Sequence, residues 1–93
     1  MPREVEKMLV RVFTHPVCVT CPMAIRLAQR LVDMYPGLEL RVVSLGSQKG
    51  REEAKQEGIL SVPTIIVGKT RFVGVPEWEA LVAAVERERN GDA

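Results

Sequence analysis

Apolar side chains recur along this chain in two rhythms, one of strands and one of helices, and the alternation between them predicts the elements. Met8-Leu9-Val10-Arg11-Val12-Phe13-Thr14 is rich in β-branched and aromatic residues with a single charge, the pattern of a strand covered on both faces. His15-Pro16 ends it, because proline offers a ladder no N–H and restricts the residue before it. Over residues 19–35 the apolar positions Ile25, Ala28, Leu31, Val32 and Tyr35 return at helical spacing, with Arg26, Gln29, Arg30 and Asp33 between them as the wetter face. Pro22 fits this helix only in the first turn, where N–H groups have no intrahelical acceptor. The helix therefore starts near Val19 or later, and Pro36-Gly37 stops it.

The second half reads the same way. Leu38, Leu40, Val42 and Val43 predict a second strand over 38–44, followed by a loop over 46–50. Residues 51–57 predict a short polar helix that ends at Gly58 as a left-handed C′ residue. Residues 62–67 predict a third strand, and Gly68-Lys69-Thr70 a turn into a fourth over 71–73, the two forming a hairpin. Pro76 and Glu77 open a last helix with a stripe of Leu81, Val82 and Val85; Glu77 and Glu79 lie near its start and Arg87 and Arg89 near its end, as a helix dipole favours. Asn90-Gly91 closes it. The predicted order is β-α-β-α-β-β-α. The simplest α/β architecture is a four-stranded mixed sheet with helices on both faces, its first half a right-handed parallel crossover.

Composition narrows the function classes. At 93 residues, with 46% hydrophobic and 27% charged, the chain is expected to form one ordered domain over 1–93. Thirteen basic against twelve acidic residues leave a formal charge of +1, which gives no field to draw nucleic acid or an anionic membrane. The longest apolar runs fall far below the roughly 18 residues that span a bilayer. Met1 to Lys7 alternates charges, unlike a secretory signal. Two cysteines do not build a multi-bridge secreted scaffold. The expectation is a soluble, cytoplasmic protein, monomeric, with neither nucleic acid nor membrane as a partner.

The chemistry concentrates in Cys18-Val19-Thr20-Cys21, a C-x-x-C after the first strand and at the start of the first helix. A three-residue step sets both sulfurs on one side of a first turn, close enough to bond. The helix N-terminus favours a thiolate, lowering a thiol pKa from about 8.5 into the range of about 3.5–7.5. Thiolate is the species that attacks disulfides. Cys18, nearer the chain turn, is the expected nucleophile and Cys21 the resolving thiol. Two other uses compete: a zinc or copper site drawing on His15, Cys18 and Cys21, although a structural zinc site needs further ligands, and a pair of inert buried thiols. His15, three residues before Cys18, and Thr20 are candidates for tuning the Cys18 pKa.

On these residues the chain resembles the thioredoxin superfamily over nearly its whole length. Besides the C-x-x-C, Gly58-Ile59-Leu60-Ser61-Val62-Pro63-Thr64-Ile65-Ile66-Val67 looks like the segment that leads into the family's cis-proline strand, and Phe72-Val73-Gly74-Val75-Pro76 is similar to the end of the fourth strand before the final helix. The resemblance implies a cis Val62–Pro63 bond beside the cysteines, with the backbone of Val62 pairing with an extended substrate over Cys18, and Pro63 and Gly74 completing the substrate-binding surface. It implies a thiol–disulfide oxidoreductase without metal or organic cofactor, passing electrons to or from protein or glutathione disulfides, with glutathione or a donor of the thioredoxin-reductase type as its partner and the direction of transfer left open. Departures are visible. Val19-Thr20 replaces the Gly-Pro of thioredoxins and the Pro-Tyr of glutaredoxins. Val17 stands where thioredoxins place tryptophan, and Val10, Val12 and Phe13 occupy the strand on which they bury an acid. Gly74-Val75-Pro76-Glu77 partly matches the glutathione-holding turn of glutaredoxins, whose short core is nearer in size.

Lys49 and Arg51 are weighed as contacts for a glutathione carboxylate against a solvated charge cluster, Arg26 as a source of positive potential against a solvated helix face, and Trp78 as a core or capping contact. The rival functions are a metal chaperone of β-α-β-β-α-β order and a thioredoxin-like interaction domain without catalysis.

Overall fold

A computed structural model describes residues 8–89; the charge pattern of residues 1–7 and the Asn90-Gly91 stop lie outside the described residues. The elements are β1 (Met8–Thr14), α1 (Cys21–Met34), β2 (Leu38–Ser44), α2 (Gln48–Glu57), β3 (Thr64–Val67), β4 (Thr70–Val73) and α3 (Trp78–Arg89). They form one four-stranded sheet in the order β2-β1-β3-β4, with β1 parallel to β2 and β3 antiparallel to both β1 and β4. This is the predicted mixed sheet.

Alternation along the strands separates two apolar layers. Val10, Val12, Ile65 and Val67 meet α1 and α3 through Ala24, Ala28, Leu31, Leu81, Ala84 and Val85. On the opposite face Phe13, Val43 and Ile66 pack with Ala54 of α2. Helix α2 is anchored mainly by charge. Arg41, Arg11, Ile66 and Arg71 form one row across β2, β1, β3 and β4. Glu53 takes Arg11 at 2.9 Å and Arg41 at 2.6 Å, and Glu57 takes Arg11 at 3.1 Å. Arg71 donates to the Glu57 carbonyl at 2.7 Å.

Helix α1 starts within the expected range, whereas the starts of α2, β3, β4 and α3 differ from the sequence expectation. Helix α1 begins at Cys21, with Thr20 as N-cap, so Cys18 lies in the turn ahead of the helix, its N–H donating to the His15 carbonyl at 3.0 Å. Helix α2 begins three residues earlier than expected because Ser47 caps it, its Oγ accepting the Gly50 N–H at 3.0 Å. Gly50, read as a loop residue, is inside the helix where a Cβ would lie 1.7 Å from the Ser44 carbonyl oxygen; only glycine lets α2 sit this close to β2. Strand β3 starts at Thr64, after Pro63, which has no N–H to give a ladder, and α3 starts at Trp78, after Pro76-Glu77. Gly58 adopts φ +70° at the end of α2, as expected.

Candidate active site

The topology gathers the predicted residues at one end of the sheet. The loop from His15 to Thr20 leaves the end of β1, whose Phe13 is in register with Thr64 at the start of β3; Thr64 in turn faces Val73 at the end of β4. Pro63 and Gly74, the residues just beyond those partners, therefore lie at the same end as the cysteines. They are joined directly, the Gly74 N–H donating to the Pro63 carbonyl at 2.8 Å. The Val62–Pro63 bond is cis. Thr64, almost fully buried, donates its hydroxyl to the Ser61 carbonyl at 2.8 Å and fixes the segment entering the bond.

Cys18 and Cys21 form a disulfide with their Cα atoms 5.4 Å apart. Their exposures differ: Cys18 is half-buried, whereas Cys21, the first residue of α1, is 3% exposed. The N–H groups of Met23 and Ala24 already bond to the Thr20 carbonyl, closing the first turn. An N-cap threonine ordinarily turns its hydroxyl onto its own helix. Thr20 makes no such bond, and its Oγ1 lies 3.9 Å from the Cys18 sulfur. The positive end of the α1 dipole thus lies beside a hydroxyl-contacted sulfur, two features that favour the thiolate.

The His15 Nδ1 accepts the Val17 N–H at 3.2 Å and the His15 carbonyl accepts the Cys18 N–H, so both groups shape the loop that carries Cys18. Arg51 donates to the carbonyls of Leu45 and Gly46, both at 3.3 Å, and so braces the loop between β2 and α2. At Gly46 an added Cβ would meet the Pro16 ring at 2.7 Å, so this braced loop lies directly against the turn that carries Cys18. Trp78 packs against the core, with the Arg30 guanidinium over its ring 4.4 Å from the ring centre. Arg26 is exposed on α1.

Sequence reasoning missed an aliphatic rim. Val17, Val19, Leu60 and Val73 belong to the segments around the disulfide and the cis bond, and Val19 and Leu60 are 90% and 98% exposed. The signal was present: Val17, Val19 and Leu60 occupy loop positions where polar residues are the rule. Exposed apolar side chains clustered on one end mark a surface that meets another molecule.

A disulfide in C-x-x-C at the tip of a helix, at the same end of the sheet as a cis-proline on a β-α-β-α-β-β-α scaffold, defines a thiol–disulfide oxidoreductase of thioredoxin-like fold. The strand and helix order is not that of a β-α-β-β-α-β metal chaperone. Comparison with known proteins agrees. The sequence model of the family described as "Thioredoxin domain" matches residues 8–86. A thioredoxin of Methanocaldococcus jannaschii is 33% identical over 82 residues, 87% of this chain and 95% of that protein. A probable thioredoxin of Methanothermobacter thermautotrophicus is 36% identical over 80 residues, covering 85% and 93%. In structure, oxidised mitochondrial thioredoxin 3 of Saccharomyces cerevisiae superposes with a TM-score of 0.72 at 21% identity, over 86% of this chain and 77% of that one. The chain belongs to the thioredoxin family.

Proposed function

We propose that Cys18 is the attacking thiolate and Cys21 the resolving thiol in the reduction of protein disulfides. The asymmetry in exposure carries this reading: only Cys18 is open to a visiting sulfur, while Cys21 is covered but bonded to it. In the first step the Cys18 thiolate bonds to one substrate sulfur and the other leaves as a thiolate. In the second, the Cys21 thiolate attacks the Cys18 sulfur, the substrate leaves as its second thiolate, and Cys18–Cys21 closes. The two electrons pass from the dithiol to the substrate.

Val62, Pro63 and Gly74 bind the substrate chain. Proline carries no N–H, the cis bond turns the Val62 backbone, and an extended segment pairs with it over Cys18. At Gly74, φ is +87° and nothing lies within 4 Å of where a Cβ would be, which leaves that side of the cleft open to a main chain. The aliphatic rim receives apolar side chains flanking the target cysteine. Thr20 stabilises the Cys18 thiolate through its hydroxyl, and His15 acts by holding the loop.

The electron donor that best suits this face is a protein dithiol of the thioredoxin-reductase type. Glutathione carries two carboxylates, the rim is aliphatic, and Arg51, weighed for that contact, is bonded to backbone carbonyls. A reducing role suits the cytoplasmic location expected from the sequence.

Trapping tests the assignment. Cys21→Ser incubated with a protein disulfide is expected to accumulate a mixed disulfide through Cys18, and Cys18→Ser to accumulate none. Mass spectrometry that finds the substrate attached to Cys21, or no adduct on either variant, would overturn it.

A further inference from the structure

Cys18 stands at the end of a four-residue turn that His15 holds from within. The Cys18 N–H donates to the His15 carbonyl at 3.0 Å, and the Val17 N–H to the His15 Nδ1 at 3.2 Å. The second bond is the one that Asn or Asp ordinarily makes to the backbone two residues on. Pro16, second in the turn, has its φ fixed by its ring.

The turn's other support comes from the loop that joins β2 to α2. A Cβ added at Gly46 would lie 2.7 Å from Pro16 Cγ and 3.0 Å from Pro16 Cδ, against 3.4 Å or more for ordinary contact, so bare backbone rests on the ring. This loop is tied down along its length. The Leu45 side chain packs with the layer of Phe13, Val43, Ala54 and Ile66, and the Leu45 N–H donates to the Thr14 carbonyl at 2.8 Å. The Gly46 N–H donates to Ser44 Oγ at 3.1 Å. Arg51 reaches back over the loop, its Nη1 donating to the carbonyls of both Leu45 and Gly46 at 3.3 Å. Arg51 belongs to α2, which Ser47 caps and Glu53 and Glu57 fasten to β1. A side chain on a fixed helix therefore holds the peptide against which the Pro16 ring leans.

We propose that Arg51 is a positioning residue for Cys18, acting through the Gly46 backbone and the Pro16 ring on the turn that presents the sulfur. The proposal rests on the reading that Cys18 is the attacking sulfur. It gives Arg51 a task distinct from the glutathione contact and the solvated charge weighed from the sequence. The leverage is steric. A misplacement near 1 Å can cost about 100-fold in rate, so a shift of a few tenths of an ångström at Pro16 is expected to show as a several-fold loss.

The test uses the reduced chain in the Cys21→Ser background, without glutathione, where the rate of mixed-disulfide formation with a protein disulfide reports on Cys18 alone. Arg51→Ala is expected to slow this step at least about threefold, and Gly46→Ala, which drives a methyl against the ring, at least about fivefold. Both losses are expected to persist above the pH midpoint of Cys18 alkylation, where the thiolate is fully formed and a charge effect on its formation no longer shows. Each is expected to shrink below about 1.5-fold in a Pro16→Ala background, because the ring that transmits it is gone. Urea unfolding of every variant alongside establishes that it is folded under the assay conditions.

If Gly46→Ala does not fold, Arg51→Ala and its combination with Pro16→Ala carry the result. An unchanged rate in Arg51→Ala, a loss confined to pH below the alkylation midpoint, or equal losses with and without the Pro16 ring would each overturn the proposal. Absence of any mixed disulfide from Cys21→Ser itself would overturn the reading of Cys18 as nucleophile, and this proposal with it.

Discussion

Replacing Glu53 by alanine removes the residue that fastens α2 to two strands at once. Its carboxylate accepts from Arg11 Nη1 at 2.9 Å, from Arg41 Nη1 at 2.8 Å and from Arg41 Nη2 at 2.6 Å. The two arginines contribute unequally. Arg11 and Glu53 are each only 17% exposed, so their bond is charge-assisted and partly desolvated, a class worth about 1.5–3 kcal/mol. Arg41 is mostly exposed, and its pairing is screened to about 0.2–1 kcal/mol. Burial pulls the Arg11 pKa down, but the hydrogen bonds and charges of Glu53 and Glu57 outweigh it and hold the guanidinium above its ordinary value. In the variant Glu57 still pairs with Arg11 at 3.1 Å, so no buried cation is stranded. The expected loss is therefore about 2–3 kcal/mol rather than the larger cost of an uncompensated charge.

For a domain this size that loss lowers the melting temperature by roughly 8–24 °C. The assay is urea and thermal unfolding of the oxidised chain, with Glu57→Ala and the double variant beside it. Glu57→Ala alone is expected to cost about 1 kcal/mol, because Glu53 keeps Arg11 paired. The double variant is expected to exceed the sum of the singles, since Arg11 then has neither carboxylate. Additive losses, or a Glu53→Ala loss below about 0.5 kcal/mol, would refute the view that α2 is held to the sheet through Arg11.

Three further outcomes follow from separate contacts. Gly50→Ala drives a methyl into the Ser44 carbonyl and is expected to cost about 3 kcal/mol or more in urea unfolding, against near-neutrality at Gln48 on the exposed face of α2. Thr20→Val keeps the shape and removes the hydroxyl beside Cys18, so the pH midpoint of Cys18 alkylation is expected to move up and the potential of the pair to become more negative, because the thiolate form of the dithiol is less favoured. The Tyr35 phenol is held above its ordinary value by local desolvation, then by its hydrogen bond to Glu86 and that carboxylate's charge, with Arg89 opposing. Since the folded pKa is the higher one, the neutral phenol's contribution to stability is whole below the unfolded value of 10.0 and is lost as pH rises through the folded one. Ultraviolet titration should place the phenolate transition above that of free tyrosine, and Glu86→Gln should lower it.

The legible part of the sequence was the part written in apolar periodicity. Val10, Val12 and Phe13 announced a covered strand, and Ala28 and Leu31 the buried stripe of α1. The cysteines and the Val62-Pro63-Thr64 segment announced the site through their resemblance to a known family. What escaped was set by contacts between distant parts of the chain. Gly50 reads locally as a helix breaker, and only its approach to Ser44 explains why a helix contains it. Residues 51–57 read only as a short polar helix, yet Glu53 and Glu57 are turned toward the sheet, held to Arg11 and Arg41, with Glu53 lying 42 and 12 residues from these two. Leu60 and Val19 are exposed because they stand in loops rather than in the periodic segments that face the core.

The apolar character of β1 has a chemical consequence at the site. Among the described residues the buried polar side chains are Thr14 and Thr64, and no carboxylate is buried. The sheet on which α1 rests therefore supplies no acid or base to Cys21 from below. On the mechanism proposed above, in which Cys21 resolves the mixed disulfide, its proton has to leave on the side of Cys18, toward solvent or toward the departing thiolate. That same side carries the α1 dipole and the Thr20 hydroxyl, both of which stabilise negative charge on sulfur. On that mechanism deprotonation and attack are served by one surface, the one a docked substrate covers. Docking against the aliphatic rim would then exclude water around both sulfurs as the charge moves, which strengthens the dipole and the hydroxyl contact alike. The substrate's own fit to that rim, rather than a buried acid, would then set how readily the second sulfur is called into play.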